Sequence, residues 1–227
     1  MKTTIKMLLL AWICAMPAMA NDIYIQQSGD NLDLDITQDG QNNVAGTSST
    51  AMSLTGDNMT FSISQVGGGN VIEATINGAT YTGNINLTGG TNTVDLDCAT
   101  GNCDTVSMSI DVTGDSADVT VNLGSTADAS DYTGTIDITS AATETFTLTV
   151  NAAAADADID ITNTLGSAGN TATYSQSGDG DINGHSLVHS HTGDGAVIDM
   201  SQSGIYDNKI NVTTSGDGAE INITQTD

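Results

Sequence analysis

Basic residues, proline and aromatic side chains are all scarce in this 227-residue chain. Three Lys and Arg residues stand against 28 Asp and Glu residues, which gives a formal net charge of −25. Such a charge repels phosphate groups, so nucleic acids and anionic membrane surfaces are excluded as partners. The single proline is Pro17, and aromatic residues make up only 4% of the chain. Few large side chains are therefore present to fill the gap of about 10 Å between two packed sheets.

Motifs of catalysis are missing as well. The chain contains no Gly-x-Ser-x-Gly nucleophile motif, no metalloprotease motif and no phosphate-binding loop. It has no arginine, and its acidic residues are too numerous for any pair to stand out as an acid–base dyad. The sequence therefore predicts a protein that is not an enzyme, with no catalytic residues and no cofactor.

The N-terminus has the pattern of a secretory signal peptide over residues 1–20. Lys2 and Lys6 precede an apolar stretch at residues 7–14, and residues 18–20 form an Ala-Met-Ala cleavage site. Cleavage leaves residues 21–227 as a single repeat domain in which Lys209 is the only base. No other long apolar run follows, so we expect no transmembrane segment in the mature chain.

Two cysteines lie beyond the predicted cleavage site, in the sequence CATGNC. Cys98 and Cys103 flank a short loop around Gly101. In an exported protein this spacing favours a disulfide, with free thiols as the alternative.

Apolar and polar residues alternate in short stretches that are separated by glycine. Residues 23–45 read as strand, turn, strand and turn, and turn-like glycines between positions 56 and 89 recur every 11 residues. The pattern predicts an all-β fold, a β-solenoid of stacked two-stranded coils (strand-turn-strand) with about 22 residues per coil. A β-sandwich is the rival architecture, which the shortage of large apolar residues disfavours.

A Gln-x-Gly motif recurs in these stretches, and asparagine follows the glycine by three residues in several copies. The glutamine lies on the same face as the apolar residues, so its amide needs a partner. Stacked on an identical residue at strand spacing, it would form an amide ladder. The predicted ladder and turn positions are Gln27, Gly29, Gln38, Gly40, Asn43, Gln65, Gly67, Asn70, Gln176, Gly178, Gln202 and Gly204.

These segments, and the copy FSISQVGGGNVIEATI at residues 61–76 above all, resemble the repeats of curlin, the subunit of bacterial curli fibres. The resemblance is good over residues 23–76 and moderate over residues 174–225. It implies a β-solenoid that assembles with copies of itself into extracellular amyloid fibres of a biofilm matrix. It also implies two further partners, a nucleator subunit and an outer-membrane export pore. No Gln occurs between Val66 and Ser175, where Leu87, Val112 and similar residues take its place.

Three further patterns suggest binding functions. His185, His189 and His191 alternate onto one face, as ligands of a transition metal would, although a histidine replacing Gln in the ladder explains them equally. Ser-Gly-Asp-Gly and Thr-Gly-Asp-Gly sequences begin at residues 177, 192 and 215, which suggests Ca²⁺ sites, but a diffuse acidic surface accounts for them too. Thr143, Thr145, Thr147 and Thr149 share one face, as in ice-binding solenoids.

The sequence thus leaves two hypotheses. The first is a secreted, extracellular structural subunit that polymerises through uncapped strand edges at residues 23–27 and 220–225. Ca²⁺ bound diffusely, or a pH near the pI of about 4.1, would relieve its charge and promote assembly. The alternative is a monomeric acidic solenoid that acts as a calcium-dependent or ice-binding adhesin.

Overall fold

The computed structural model describes residues 22–47, 49, 51–98, 105–123, 132–151, 157–165, 170–177, 186–204 and 209–226, and these contain strands and no helix. The strands are β1 (Asp22–Ile23), β2 (Gln26–Ser28), β3 (Asp33–Asp39), β4 (Asn43–Ala45), β5 (Met52–Thr55), β6 (Met59–Asn77), β7 (Tyr81–Cys98), β8 (Val106–Leu123), β9 (Tyr132–Asn151), β10 (Ala157–Leu165), β11 (Asn170–Ser177), β12 (Ser186–Thr192), β13 (Val197–Ser203), β14 (Lys209–Ser215) and β15 (Glu220–Thr226). Since the described part of the chain has no helix, it also has none that could span a membrane.

The strands stack in two columns, and every strand pairing in them is parallel. Column one contains β3, the first halves of β6 to β9, and then β10, β12 and β14. Column two contains β1 with β2, β4 with β5, the second halves of β6 to β9, and then β11, β13 and β15. One strand from each column makes a rung. The predicted β-solenoid of two-stranded coils is confirmed.

The coils are about 25 residues apart rather than the predicted 22, and their length varies. Thr60 and Thr82 are 22 residues apart in neighbouring rungs, whereas Asp33 and Thr60 are 27 apart. The difference of five residues arises between β4 and β5: Ala45 and Met52 are seven residues apart, whereas their partners in the next rung, Ile72 and Ala74, are two apart. The glycine spacing does not predict these added residues, and the strands on either side of them stay in register with the next rung.

The core is the narrow space between the two columns, and it is filled by stacks of like residues. In β6, β7 and β8, buried residues alternate with residues nearer the solvent. Ile63, Ile85, Ile110 and Ile136 occupy the same position in four successive rungs and are all 0–1% exposed. Each rung therefore covers the apolar side chains of the rung below, and a rung at the end of the stack is covered on one side only.

Candidate assembly site: ladders and open ends

Buried asparagines form a continuous amide ladder at the start of column two. The Nδ2 of Asn43 donates to the Oδ1 of Asn70 at 3.3 Å, and the Nδ2 of Asn70 donates to the Oδ1 of Asn92 at 2.8 Å. All three side chains are fully buried. The same Nδ2 atoms reach across to column one, where Asn43 donates to the carbonyl oxygen of Val66 at 2.9 Å and Asn70 to that of Thr88 at 3.1 Å. The ladder therefore joins neighbouring rungs and also ties the two columns together.

Glutamines stack beside the asparagines in the first rungs of column one. The Nε2 of Gln65 donates to the Oε1 of Gln38 at 2.6 Å, and both side chains are buried. Each Nε2 also donates at 3.3 Å to a carbonyl oxygen of column two, that of Val44 from Gln38 and that of Val71 from Gln65. In the next two rungs the register places Leu87 and Val112 at this position, so aliphatic contacts replace the amide bonds.

A second glutamine ladder lies at the other end of the molecule, in column two. The Nε2 of Gln225 donates to the Oε1 of Gln202 at 3.0 Å, and that of Gln202 donates to the carbonyl oxygen of Lys209 at 3.2 Å. The register places Gln176 next to Gln202. Gln27 has no glutamine beside it in the next described rung: it stacks on Leu54, and its Nε2 donates to the carbonyl oxygen of Gly29 at 3.3 Å.

Glycines of the motif stack where the backbones of successive turns approach closely. A Cβ on Gly67 would overlap the carbonyl oxygen of Gly40 and lie 3.0 Å from the Nδ2 of Asn43. A Cβ on Gly89 would overlap the carbonyl oxygen of Gly67 and lie 2.8 Å from the Nδ2 of Asn70. The Gln-x-Gly-x-x-Asn spacing is thus explained, since glycine leaves room for the asparagine amide that crosses the turn.

Aspartates at the opposite turn form a further ladder, which the sequence pattern did not predict. The carboxylate of Asp30 accepts the backbone N–H of Asp57 at 3.0 Å, and that of Asp57 accepts the N–H of Ala79 at 2.8 Å. The carboxylate of Asp194 accepts the N–H of Asp217 in the same way at 2.8 Å. The recurring Gly-Asp-Asn and Gly-Asp-Gly turns are the signal that could have revealed it. At residues 194 and 217 this ladder uses the aspartates that suggested Ca²⁺ sites.

The two described histidines of the cluster are buried side by side in β12. His189 is fully buried, its ring centroid is 6.1 Å from that of His191, and its Nδ1 lies 2.9 Å from the hydroxyl oxygen of Tyr174. Burial, and then the neighbouring His191, lower the pKa of His189 to about 4. Burial also lowers the pKa of His191. Both rings are therefore neutral at pH 7. The described residues contain no group of three metal-ligating side chains.

Three outward carboxylates have raised pKa values because they are partly buried and lie beside other carboxylates. Burial, and then Asp97 and Asp118, raise the pKa of Asp95. Burial, and then Asp95, raise the pKa of Glu73, which is in register with Asp95 in the next rung. In column one, burial and then Asp111 raise the pKa of Asp137. Ionisation of these groups opposes the stacking of the rungs that carry them.

Both ends of the described stack are open. All seven residues of β15 are exposed, and the inward-facing Ile221 and Ile223 keep 39% and 49% of their surface accessible. At the other end, residues of the first rungs pack against the core but stay partly exposed; they are Ile23, Ile25, Leu32 and Leu34. Among the described strands, β15 and β14 each pair along one edge, with β13 and β12. A second edge of each is left for another strand.

Some predicted positions lie outside the described residues. They include the signal peptide, His185, Gly178 and Cys103. Cys98 is disulfide-bonded, and its pairing with Cys103 stays a prediction. Gly29, Gly40 and Gly204 lie in bends directly after β2, β3 and β13. Gly67 lies within β6, between its two halves.

Comparison with known families agrees with this geometry. Residues 29–67 match the sequence profile of the Curlin associated repeat. The chain carries a curlin repeat. The matched residues contain Gln38, Asn43 and Gln65, so the curlin repeat here covers the first bonds of the glutamine ladder. No curated protein and no solved structure matches the chain significantly.

Proposed function

We propose that the protein is a secreted structural subunit that assembles with copies of itself, end to end, into extracellular curli-like fibres. The observation that carries the proposal is the pair of open ends. Each end of the described stack presents strand edges that pair with no other described strand, together with half-covered apolar side chains. The interior is built from ladders that another rung would continue. The curlin repeat supports the same function. A nucleator subunit and an export pore are its further proposed partners.

The charge of the acidic surface makes the rate of assembly depend on pH and on Ca²⁺. Outward carboxylates repel at short range, and this repulsion grows when copies stack. Protonation near the pI of about 4.1, or diffuse binding of Ca²⁺, reduces the repulsion. We therefore expect faster polymerisation at acidic pH or with added Ca²⁺.

The test follows the polymerisation of purified protein by thioflavin fluorescence at a series of pH values and Ca²⁺ concentrations. Electron microscopy shows whether the products are fibres. Fibres with a meridional reflection at about 4.8 Å are the expected result. A persistent monomer at every condition, seen by light scattering, would instead favour the monomeric adhesin.

A proline at the free edge provides a sharper variant. The backbone N–H of Glu220 donates to Ala196 of the preceding rung, so N–H groups of β15 at odd positions point to the free edge. Ile223→Pro therefore removes an edge donor and blocks pairing without removing a hydrogen bond within the subunit. We expect this variant to fold and stay monomeric. The control Ile223→Val, which keeps the donor, should polymerise like the unmodified protein.

A further inference from the structure

The described stack begins and ends with the same strand of column two. Following the register from rung to rung places Ile23 and Ile221 at one position, and Ile25 and Ile223 at another. Residues 22–28 read DIYIQQS and residues 220–226 read EINITQT. Both have an acid first, Ile second and fourth, and Gln sixth. The strand at one end is thus a chemical copy of the strand at the other.

The two columns of described strands differ by one level. Column two has a strand at each end of the stack, β1 with β2 at one and β15 at the other, whereas column one begins with β3 and ends with β14. If two copies stacked with every strand in place, β15 would meet β1 and β2. β14 and β3 would then be two rungs apart, about 9.6 Å instead of about 4.8 Å. Their edges and the apolar Ile210 and Leu34 would face a gap.

The first strand of column two, β1 with β2, is held to its neighbour more weakly than β15 is. β1 pairs with the next rung over two residues and β2 over three, and the pairing is interrupted between them at Tyr24 and Ile25. The side chain of Tyr24 is 52% exposed. The amide of Gln27 bonds within its own turn instead of to another rung. β15, in contrast, is continuous and pairs over seven residues.

We propose that in the fibre β15 of one copy takes the place of β1 and β2 in the next copy, and that the displaced residues 22–28 leave the sheet at the turn after them. The proposal rests on the proposed function, self-assembly of the subunit. The exchange keeps both columns at single-rung spacing. It stacks Ile221 on Ala45 and Ile223 on Met52, and in column one Ile210 on Leu34.

Engineered disulfides test which strands meet at the junction. In the proposed junction Thr224 takes the position of Gln26, next to Ser53, and a disulfide needs Cα atoms within about 7 Å. A mixture of chains carrying Ser53→Cys and chains carrying Thr224→Cys should therefore crosslink in fibres, as mapped by mass spectrometry. A mixture of Gln26→Cys and Thr224→Cys chains should not.

The opposite result, a 26–224 crosslink without a 53–224 crosslink, would show that β1 and β2 stay in place and would overturn the exchange. Fibres without either crosslink would also overturn it and leave the proposed function standing. Absence of fibres from the unmodified protein would overturn the proposed function itself.

A matched pair of double variants gives a kinetic test. Ile221→Ser with Ile223→Ser weakens the invading strand, while Ile23→Ser with Ile25→Ser weakens the strand it displaces. Seeded elongation should fall at least about tenfold for the first variant, because two buried isoleucines are lost from the junction. The second variant should elongate at least as fast as the unmodified protein. Equal slowing of both would contradict the exchange.

Discussion

The asparagine ladder gives the strongest test of how the rungs are held together, through the substitution Asn70→Ala. Asn70 is fully buried and takes part in three hydrogen bonds at the centre of the ladder. Its Nδ2 donates to Asn92 at 2.8 Å and to the carbonyl oxygen of Thr88 at 3.1 Å, and its Oδ1 accepts from Asn43 at 3.3 Å. Alanine removes all three.

The expected loss follows from these contacts. Three net hydrogen bonds contribute about 3 kcal/mol, and the buried Oδ1 of Asn92 then loses its donor at a further cost of about 1 kcal/mol or more. Asn43 keeps its bond to Val66 at 2.9 Å, so it adds little to the loss. We therefore expect Asn70→Ala to lower the free energy of unfolding by about 4 kcal/mol.

Guanidinium unfolding of the monomer, followed by circular dichroism at low protein concentration, measures this loss. The control is Asn211→Ala, an exposed asparagine in β14, which should change stability by less than about 0.5 kcal/mol. A double-mutant cycle of Asn70→Ala and Asn92→Ala should give a coupling of about 1 kcal/mol for their shared bond. A loss below about 1 kcal/mol for Asn70→Ala would refute the view that the ladder stabilises the stack.

Three further predictions concern the turns, the histidines and the acidic face. Gly89→Ala should cost more than about 3 kcal/mol because its Cβ overlaps the turn below, whereas Gly68→Ala, with nothing within 4 Å, should be nearly neutral in the same unfolding assay. The lowered pKa of His189 means that the unfolded chain takes up a proton more readily. The contribution of His189 to stability should therefore be fully present above about pH 6.5 and fall by about 3 kcal/mol as pH drops to about 4. Unfolding curves taken across this range should show a smaller acid loss of stability for His189→Leu than for the unmodified protein, and an equal loss would contradict the prediction. The pKa of Asp95 is raised, first by burial and then by Asp97 and Asp118, so its ionised form opposes folding. Asp95→Asn should therefore raise stability at pH 7 by less than about 1 kcal/mol, and high salt should reduce only the part of this gain that comes from the neighbouring carboxylates. A loss of stability in the same unfolding assay would contradict the prediction.

The sequence by itself determined the local structure and the architecture. Alternation fixes which side chains face inward, and an inward Gln or Asn without a charged partner needs a neighbouring amide. The recurring glycines set coils of two strands, and the shortage of large side chains ruled out a thick core. The alternation is a property of a few adjacent residues, and the glycine spacing and the composition are properties of the chain as a whole, so none of them depends on which residues stack on one another.

Only the tertiary structure decided which residues lie on top of one another. The vertical neighbour of a side chain depends on the summed lengths of two turns, and residues 46–51 alone lengthen one coil by five residues. Gln38 thereby lies on Gln65, whereas Gln27, in the same local motif, lies on Leu54. The aspartate ladder and the equivalence of the first and last strands depend on the same register, which is a property of the stack and not of any single repeat.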